Sequence, residues 1–595
     1  MIFSPNFKLK DSTKNILIVI LLFIVGFAIY ANSFPNEMFW DDDDFILKNR
    51  YIKDWHYWPH YFTENVVAGN YLLSNYWRPV LLLLFSLEWH LWQAWAPGYH
   101  IVSTFFHAID SVLLFIFLIL ITKDRWLASL TSLTFLVHPI QTEAVVYANA
   151  ISDSLAAFFI FLSLIFYVKS RTVESANGKK STMLFYLLSW IMYPLGLMSK
   201  EVAFVLPGYI AALELTVLNT DTFFPKKLKT ISLRLLPFLI LAGIYLYLRS
   251  TSLNFVNTFN FYNEANILTS HFLVRLFTFF RVMSVYFGLL FFPIDLHVER
   301  SVSLATSLFS ASVLFGAALF FGLIILAFRK WKNEPLMTFA VGWFLMGIFL
   351  SSNLLIPINA LLYEHFLYLP LIGIFLIVLN QGFFLIQRFK LQSTALKIFF
   401  IYLIFLSALT AQRNRDWRDP ITFYENLLKY APTSYRVINN LGMVYADRGF
   451  HKKAEEIYRR AIRLDPTNPV GYHNIGGTYR DTGRIDLAIQ SFKKAIELNP
   501  QFIFSYKSLA KLYLDKNDYV NARRVLEQYL RYTPEPLSTL LLLVQITQIQ
   551  NDFSATRLYL KAALELSPAN SSILSNLKKV EESLSILPNR IHISE

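Results

Sequence analysis

Residues 39 to 49 read FWDDDDFILKN, four consecutive carboxylates in a chain that is 55% hydrophobic. Like charges side by side repel, and taking even one carboxylate out of water is costly unless a partner meets it. Apolar drift does not explain such a run. Neighbouring carboxylates raise one another's pKa and move the more buried one toward a useful basicity, so an aspartate here can act as general base. If the group that leaves is a phosphate, cations must face it, and Arg78 in YWRP, Lys200 in SKE, Arg275 and Arg281 are the candidates to grip it. The bland reading is a solvated acidic loop, or an acid cluster holding a cation. Four Asp can bind a divalent metal ion through oxygen, but adjacent residues rarely point at one centre and no other fixed-spacing ligand set accompanies them. The spacing establishes no metal site and no cofactor.

The elements that must position these residues are membrane helices. A chain of 595 residues exceeds one ordinary domain, and its mean hydropathy of +0.42 exceeds what a soluble protein tolerates. The formal charge of +13 comes from Lys and Arg scattered between apolar spans, the pattern of topology anchors rather than of nucleic-acid binding. With no cysteine, disulfides, thiol nucleophiles and Cys-ligated zinc or iron–sulfur sites are excluded. The first apolar run, NILIVILLFIVGFAIYA at 15 to 31, follows Lys8, Lys10 and Lys14, lacks an A-x-A cleavage site, and reads as an uncleaved first transmembrane helix.

Segments able to cross a bilayer recur to residue 411, after which amphipathic helical patterns take over. Pro432, Pro466, Pro500, Pro534 and Pro568 are 34 residues apart, and the same period pairs Gly442 with Gly476, Tyr445 with Tyr479 and Tyr513, and Ala454 with Ala488 and Ala522. This is the tetratricopeptide signature. The expected architecture is all-α: a polytopic helix bundle over residues 1–411, followed by a tetratricopeptide solenoid over 412–595 whose last unit is a cap. Its concave groove is a place for an acceptor protein or another partner, and its bland reading is a lid or stability module.

Placing the N-terminus inside sorts Lys123, Arg125, Lys169, Arg171, Lys179, Lys180, Lys226, Lys227, Lys229, Arg388 and Lys390 onto the cytoplasmic face. The other face receives the acid run, YWRP, HPIQTE (138–143), SKE and YEHFLYLP (363–370), and the loop WHYWPHYF (55–62) suits an interfacial helix there. Segment 271–293 carries Arg275 and Arg281 and is expected to be re-entrant or to lie on the surface. The count is then about eleven crossings, which leaves the repeats outside.

The order FWDDDDFILKN, YWRPV, PGYHIVSTFFHA, FLVHPIQTEAVVYANAISDSLAAFF, LMSKEVAFVLP and YEHFLYLPLIG, with repeats appended, resembles the transmembrane and tetratricopeptide-repeat protein O-mannosyltransferases, membrane glycosyltransferases of the GT-C class. The resemblance implies transfer of a sugar from a polyprenyl-phosphate carrier to a hydroxyl on the outside face, with inversion. It aligns the family's paired acids with Asp41 and Asp42, and Asp41 is the first choice of base. Asp43 and Asp44 lie outside the match. Arg78 and Lys200 are the leading phosphate-binding candidates, with Arg275 and Arg281 behind them. His138, Glu143, Asp153, Glu201, Glu364 and His365 are expected to orient substrate. Glu201 and Glu364 are equally readable as ion-pair partners, and His138 as a satisfied histidine at a helix end. Ile151 stands where the family usually carries Arg, as does His365. A reading from another class is a non-enzymatic membrane scaffold, or a transporter, that recruits partners through its repeats. A transporter would place ionisable residues near mid-membrane, whereas here they gather at one surface.

Overall fold

The computed structural model describes residues 11–172, 178–218, 224–252, 267–300, 302–358, 360–388, 392–533 and 536–586. Lys8, Lys10, Lys390 and Pro534, used above, lie outside them. Every regular element among the described residues is helical. The chain divides into two compact units, Met1–Phe423 and Tyr424–Glu595.

In the first unit seven helical spans are long and apolar enough to cross a membrane: Asp11–Ser33, Ala96–Thr122, Ala148–Thr172, Leu228–Thr251, Phe272–Phe291, Ala311–Lys330 and Ser393–Asp416. Four shorter apolar helices, Pro79–Trp92, Arg125–Val137, Pro335–Phe349 and Leu371–Leu385, accompany them. The Phe272–Phe291 segment is one continuous helix of 20 residues. Its Arg281 donates to the backbone carbonyl and hydroxyl of Ser303 and to the hydroxyls of Ser310 and Ser312. WHYWPHYF forms two short turns, Trp55–Tyr57 and His60–Thr63, on either side of Pro59. Proline lacks the N–H that a continuous helix would use there.

The Ala96–Thr122 helix anchors YEHFLYLP. The Tyr368 hydroxyl lies 2.8 Å from both Asp110 Oδ2 and His107 Nδ1, all three side chains being buried. Residues 412–423 also pack in this unit. Asn414 donates to Asn32 Oδ1 and to the Ile29 carbonyl, Asn36 donates to the Asn414 carbonyl, and the Glu37 amide donates to the Arg418 carbonyl at 2.9 Å. The last apolar helix is thereby clamped to the loop that carries the acid run.

The second unit is a row of helix pairs: Tyr435–Asp447 with His451–Leu464, Pro469–Asp481 with Ile485–Leu498, Ile503–Asp515 with Tyr519–Tyr529, and Pro536–Ile549 with Phe553–Leu566. Ser571–Ile586 closes the described row as a single helix. The 34-residue period has a steric cause. A Cβ on Gly442 would come 2.5 Å from Tyr458, and one on Gly476 would come 2.9 Å from Phe492, while Ala454, Ala488 and Ala522 are fully buried. The turn inside each pair repeats too, with Gly449, Gly483, Asn517 and Asn551 all at φ between 57° and 76°. Glycine and asparagine are the residues that enter this left-handed region most readily.

Candidate active site

The segment 138–153, HPIQTEAVVYANAISD, is buried throughout and is the hub of the site. Short helices at Pro139–Gln141, Thr142–Val146 and Ala148–Ala150 bend it so that successive side chains meet different partners.

Its middle holds the acid turn. The Asn149 amide donates to Asp42 Oδ1 at 2.8 Å, and the Phe39 amide donates to Asp42 Oδ2 at 3.2 Å. Asp42 is only 2% exposed, and burial pushes its pKa well above the usual carboxylate range against the pull of these two N–H groups. Asp41 is half-buried, and its amide donates to the Tyr147 hydroxyl at 3.1 Å. The turn is tight enough to hold Trp40 at φ 62°, a conformation most side chains avoid. Stacking offsets that strain: Trp40 lies on Tyr147 at 5.5 Å and Tyr147 lies on Trp417 at 5.4 Å, both pairs tilted by only 21°. The two remaining acids turn away, Asp43 to Lys48 at 2.8 Å and Asp44 to the Asn70 amide at 2.8 Å.

Past the C-terminal end of the hub lies a cation cluster. Asp153 pairs with Lys200 at 2.6 Å, and Arg78 donates twice to Glu201 Oε2, at 3.1 and 2.8 Å. Arg249 approaches the other oxygen of Glu201 at 3.8 Å. Burial alone would raise the Glu201 pKa, but Arg78 and Arg249 outweigh it and hold the carboxyl below its ordinary value. Burial lowers the Lys200 pKa, with Asp153 opposing and Arg78 reinforcing. Asp153 and Glu201 thus lie as counter-charges of the cations. Tyr76 joins the turn to the cluster. Its ring lies 4.5 Å from the Arg78 guanidinium, and the charges of Arg78, Glu201 and Asp41 all act on its hydroxyl.

Toward the N-terminal end of the hub lies a second charged group. His365 contacts Glu143 Oε1 through Nδ1 at 2.8 Å and donates its amide to Oε2 at 3.2 Å. Burial would raise the Glu143 pKa, but His365 holds it low. Beside this pair, Arg413 donates to Glu364 at 3.4 Å and to Asp416 at 2.9 Å. Glu364 is fully buried, and desolvation raises its pKa to about 7 although Arg413 opposes the shift. His138 spends both ring nitrogens on backbone: Nε2 donates to the Leu290 carbonyl and Nδ1 accepts from the Ile140 amide. Burial lowers its pKa to about 4. These bonds tie it to the Phe272–Phe291 helix and to its own turn. Of the lesser phosphate candidates, Arg281 is spent on the serines above, whereas Arg275 lines a separate cleft. Among the described residues no group of three or more His, Asp or Glu side chains is arranged to hold a metal ion.

Sequence reasoning overlooked Tyr147, Asn149, Arg249, Trp417 and Arg413. Tyr147 and Asn149 sit inside a quoted motif but look like ordinary core residues. Arg249 and Arg413 each stand as a basic residue at the end of an apolar run, which reads first as a topology anchor.

These features define a multi-pass helical membrane protein with a buried, charge-rich centre and an appended tetratricopeptide domain. The tetratricopeptide-repeat family matches residues 433–501. The chain is similar to the human protein O-mannosyl-transferase TMTC4, at 26% identity over 482 residues covering 73% of this chain and 64% of that protein. It is similar to the Caenorhabditis elegans protein O-mannosyl-transferase F38B6.6, at 26% identity over 78% of this chain and 64% of that one. It is also similar to mouse protein O-mannosyl-transferase TMTC3, at 25% identity over 76% and 51%. The chain therefore spans between half and two thirds of the length of these relatives. The family resemblance carried by the ordered motifs holds along most of the chain. Among solved structures, MamA aligns over 24% of this chain and 85% of its own at 23% identity, with a TM-score of 0.23.

Proposed function

We propose that this chain is a membrane glycosyltransferase that moves a hexose, mannose first among them, from a polyprenyl-phosphate carrier to a Ser or Thr hydroxyl of a protein, inverting the anomeric carbon. The observation that carries the reading is the acid turn, where Asp42 is locked by two backbone amides next to the half-buried Asp41, with Tyr76 between that aspartate and the arginine and lysine cluster. Asp41 takes the proton of the acceptor hydroxyl. That oxygen bonds to the anomeric carbon from the face opposite the carrier, and the carbon–oxygen bond to the phosphate breaks. The carrier phosphate leaves with the electron pair, and preorganised cations stabilise its growing charge. Arg78, Lys200 and Arg249 face two carboxylates, Glu201 and Asp153, which leaves one formal positive charge to meet the leaving group. Glu143, Glu364 and His365 orient the substrate from the other side of the hub.

Topology supports the same assignment. By the positive-inside pattern of the sequence, with Lys123, Arg125, Lys169 and Arg171 on the inner side, the N-terminus is cytoplasmic and the site and repeats are non-cytoplasmic. The unit that ends at Phe423 carries the transfer chemistry, and the repeats that follow it hold the acceptor protein. That the relatives are named protein O-mannosyl-transferases supports a protein acceptor.

The test is transfer in native membranes from a panel of radiolabelled polyprenyl-phosphate sugars, comparing the parent with Asp41→Asn. Label should reach protein with the parent and fall by about 100-fold or more in the variant, the range for loss of a general base. If Asp41→Asn transfers as well as the parent, the scaffold reading replaces this one.

A further inference from the structure

We infer that the loop 67–76 reads the acceptor: its exposed tip, Tyr71, Leu72 and Leu73, docks apolar side chains that neighbour the acceptor hydroxyl of a polypeptide. The inference rests on the transferase reading and adds which feature of the acceptor the site selects.

The loop is held in one shape. Asn65 staples it from below: its Oδ1 accepts from the Val67 amide at 3.0 Å and from the Ser74 hydroxyl at 3.1 Å, and its Nδ2 donates to the Leu72 carbonyl at 3.2 Å. The Val66 amide donates to the Tyr76 carbonyl at 3.0 Å and closes the base. A Cβ on Gly69 would fall 1.9 Å from Asn49 Oδ1, so glycine is required for this close approach. Tyr71 stands at φ 58°, a conformation most side chains avoid, with its ring 4.4 Å from the Arg50 guanidinium. Both ends of the loop meet the site. Asn70 donates to Asp44 of the acid turn at 2.8 Å, whereas the Asn75 carbonyl accepts from Arg249 and the Tyr76 ring lies on Arg78. The tip therefore projects from a span strung between the acid turn and the cation cluster.

What the tip presents is apolar. Tyr71 is 78% exposed and Leu73 is 96% exposed, with Leu72 beside them at 41%. Its margin is polar and charged: Arg50 is exposed, and Asp44, Asn70, Ser74 and Asn75 are half-buried. An apolar centre inside a polar rim is the anatomy of a protein-docking surface, and tyrosine is among the residues that dominate binding there. Lowering the tip into acyl chains would instead strip water from Arg50 and Asp44, which a bilayer-facing loop avoids. The occupant is therefore a polypeptide rather than the bilayer or the chain of the carrier. From Asn70, which touches the acid turn, the backbone reaches at most about 11 Å to Leu73. The docked side chain thus lies within a few residues of the hydroxyl that Asp41 deprotonates.

The experiment uses the full chain in phosphatidylcholine nanodiscs and a short synthetic peptide whose single Thr stands between two photoreactive leucines. The expected label maps to residues 67–76. In the double variant Leu72→Ser with Leu73→Ser it falls about 10-fold, the factor for losing most of one apolar side chain's burial. It is kept in Leu73→Met and in Phe309→Ser, a change at an apolar residue that is 85% exposed elsewhere. Peptide label that maps away from the loop, or that survives the double variant, overturns the inference. So does labelling of the tip by a photoreactive phosphatidylcholine in place of the peptide, which gives it to the bilayer, or by a photoreactive polyprenyl phosphate, which gives it to the carrier. Labelling needs no sugar transfer. A labelled tip without transfer fails the transferase reading alone, and transfer with an unlabelled tip fails this inference alone.

Discussion

Glu201 holds two buried arginines, and removing its charge is the sharpest test of the electrostatic reasoning. In Glu201→Gln the side-chain volume is kept, and the amide carbonyl can still accept one of the two Arg78 bonds now made at 2.8 and 3.1 Å. What disappears is the counter-charge for Arg78, 7% exposed, and Arg249, 5% exposed. Breaking a buried pair by removing one partner costs on the order of 3–5 kcal/mol, because the stranded charge stays desolvated. The Glu201 side chain is 22% accessible, so water softens the loss, and we expect about 3 kcal/mol. The assay is equilibrium unfolding in detergent followed by tryptophan fluorescence, with Arg249→Gln and the double variant completing the cycle. The double variant should lose clearly less than the sum of the two single losses. Acidity supplies the sign. Because the folded-state pKa of Glu201 is depressed, its stabilisation is present above the ordinary glutamate value and is lost as pH falls through the folded one. The gap between parent and Glu201→Gln should therefore close on acidification. A variant within 0.5 kcal/mol of the parent at pH 7, on the ~1 kcal/mol scale of surface pairs, would refute the picture of a buried cation cluster.

Other predictions follow from single contacts. Tyr147→Phe removes the acceptor of the Asp41 amide and should cost about 1 kcal/mol of stability but lower transfer more than tenfold, as read by sugar transfer on folded protein. Glu364, raised to about 7 by burial, contributes stability that is full below its ordinary value and is lost as pH rises through about 7. The parent should therefore lose about 3 kcal/mol more than Glu364→Gln between pH 5 and 8, and parallel curves would contradict this. Gly442→Ala would force a Cβ to within 2.5 Å of Tyr458, so the repeat unit should lose about 1–3 kcal/mol while transfer to a short soluble acceptor is retained. Limited proteolysis reads the first effect.

The elements were legible because their signals are local. Apolar runs of bilayer length and the 34-residue period are set by nearest-neighbour sterics and by the solvent each face meets, so sequence alone carried the all-α class and the repeat architecture. The acid turn was visible for the same reason, since four adjacent carboxylates stand out against any apolar background. The roles of individual charges were decided only by tertiary structure. Asp42 became a locked, buried acid because Asn149, more than 100 positions away, turns its amide toward it. Glu201 and Asp153 became counter-charges because helix ends distant in sequence converge on them. Arg275 and Arg281, six residues apart on one helix, part company because one faces a cleft and the other a serine-lined loop. Charge type is written in the chain, but whether a charge is met, and by what, depends on which backbone the fold brings within 3 to 4 Å, the range over which ion pairs and hydrogen bonds act.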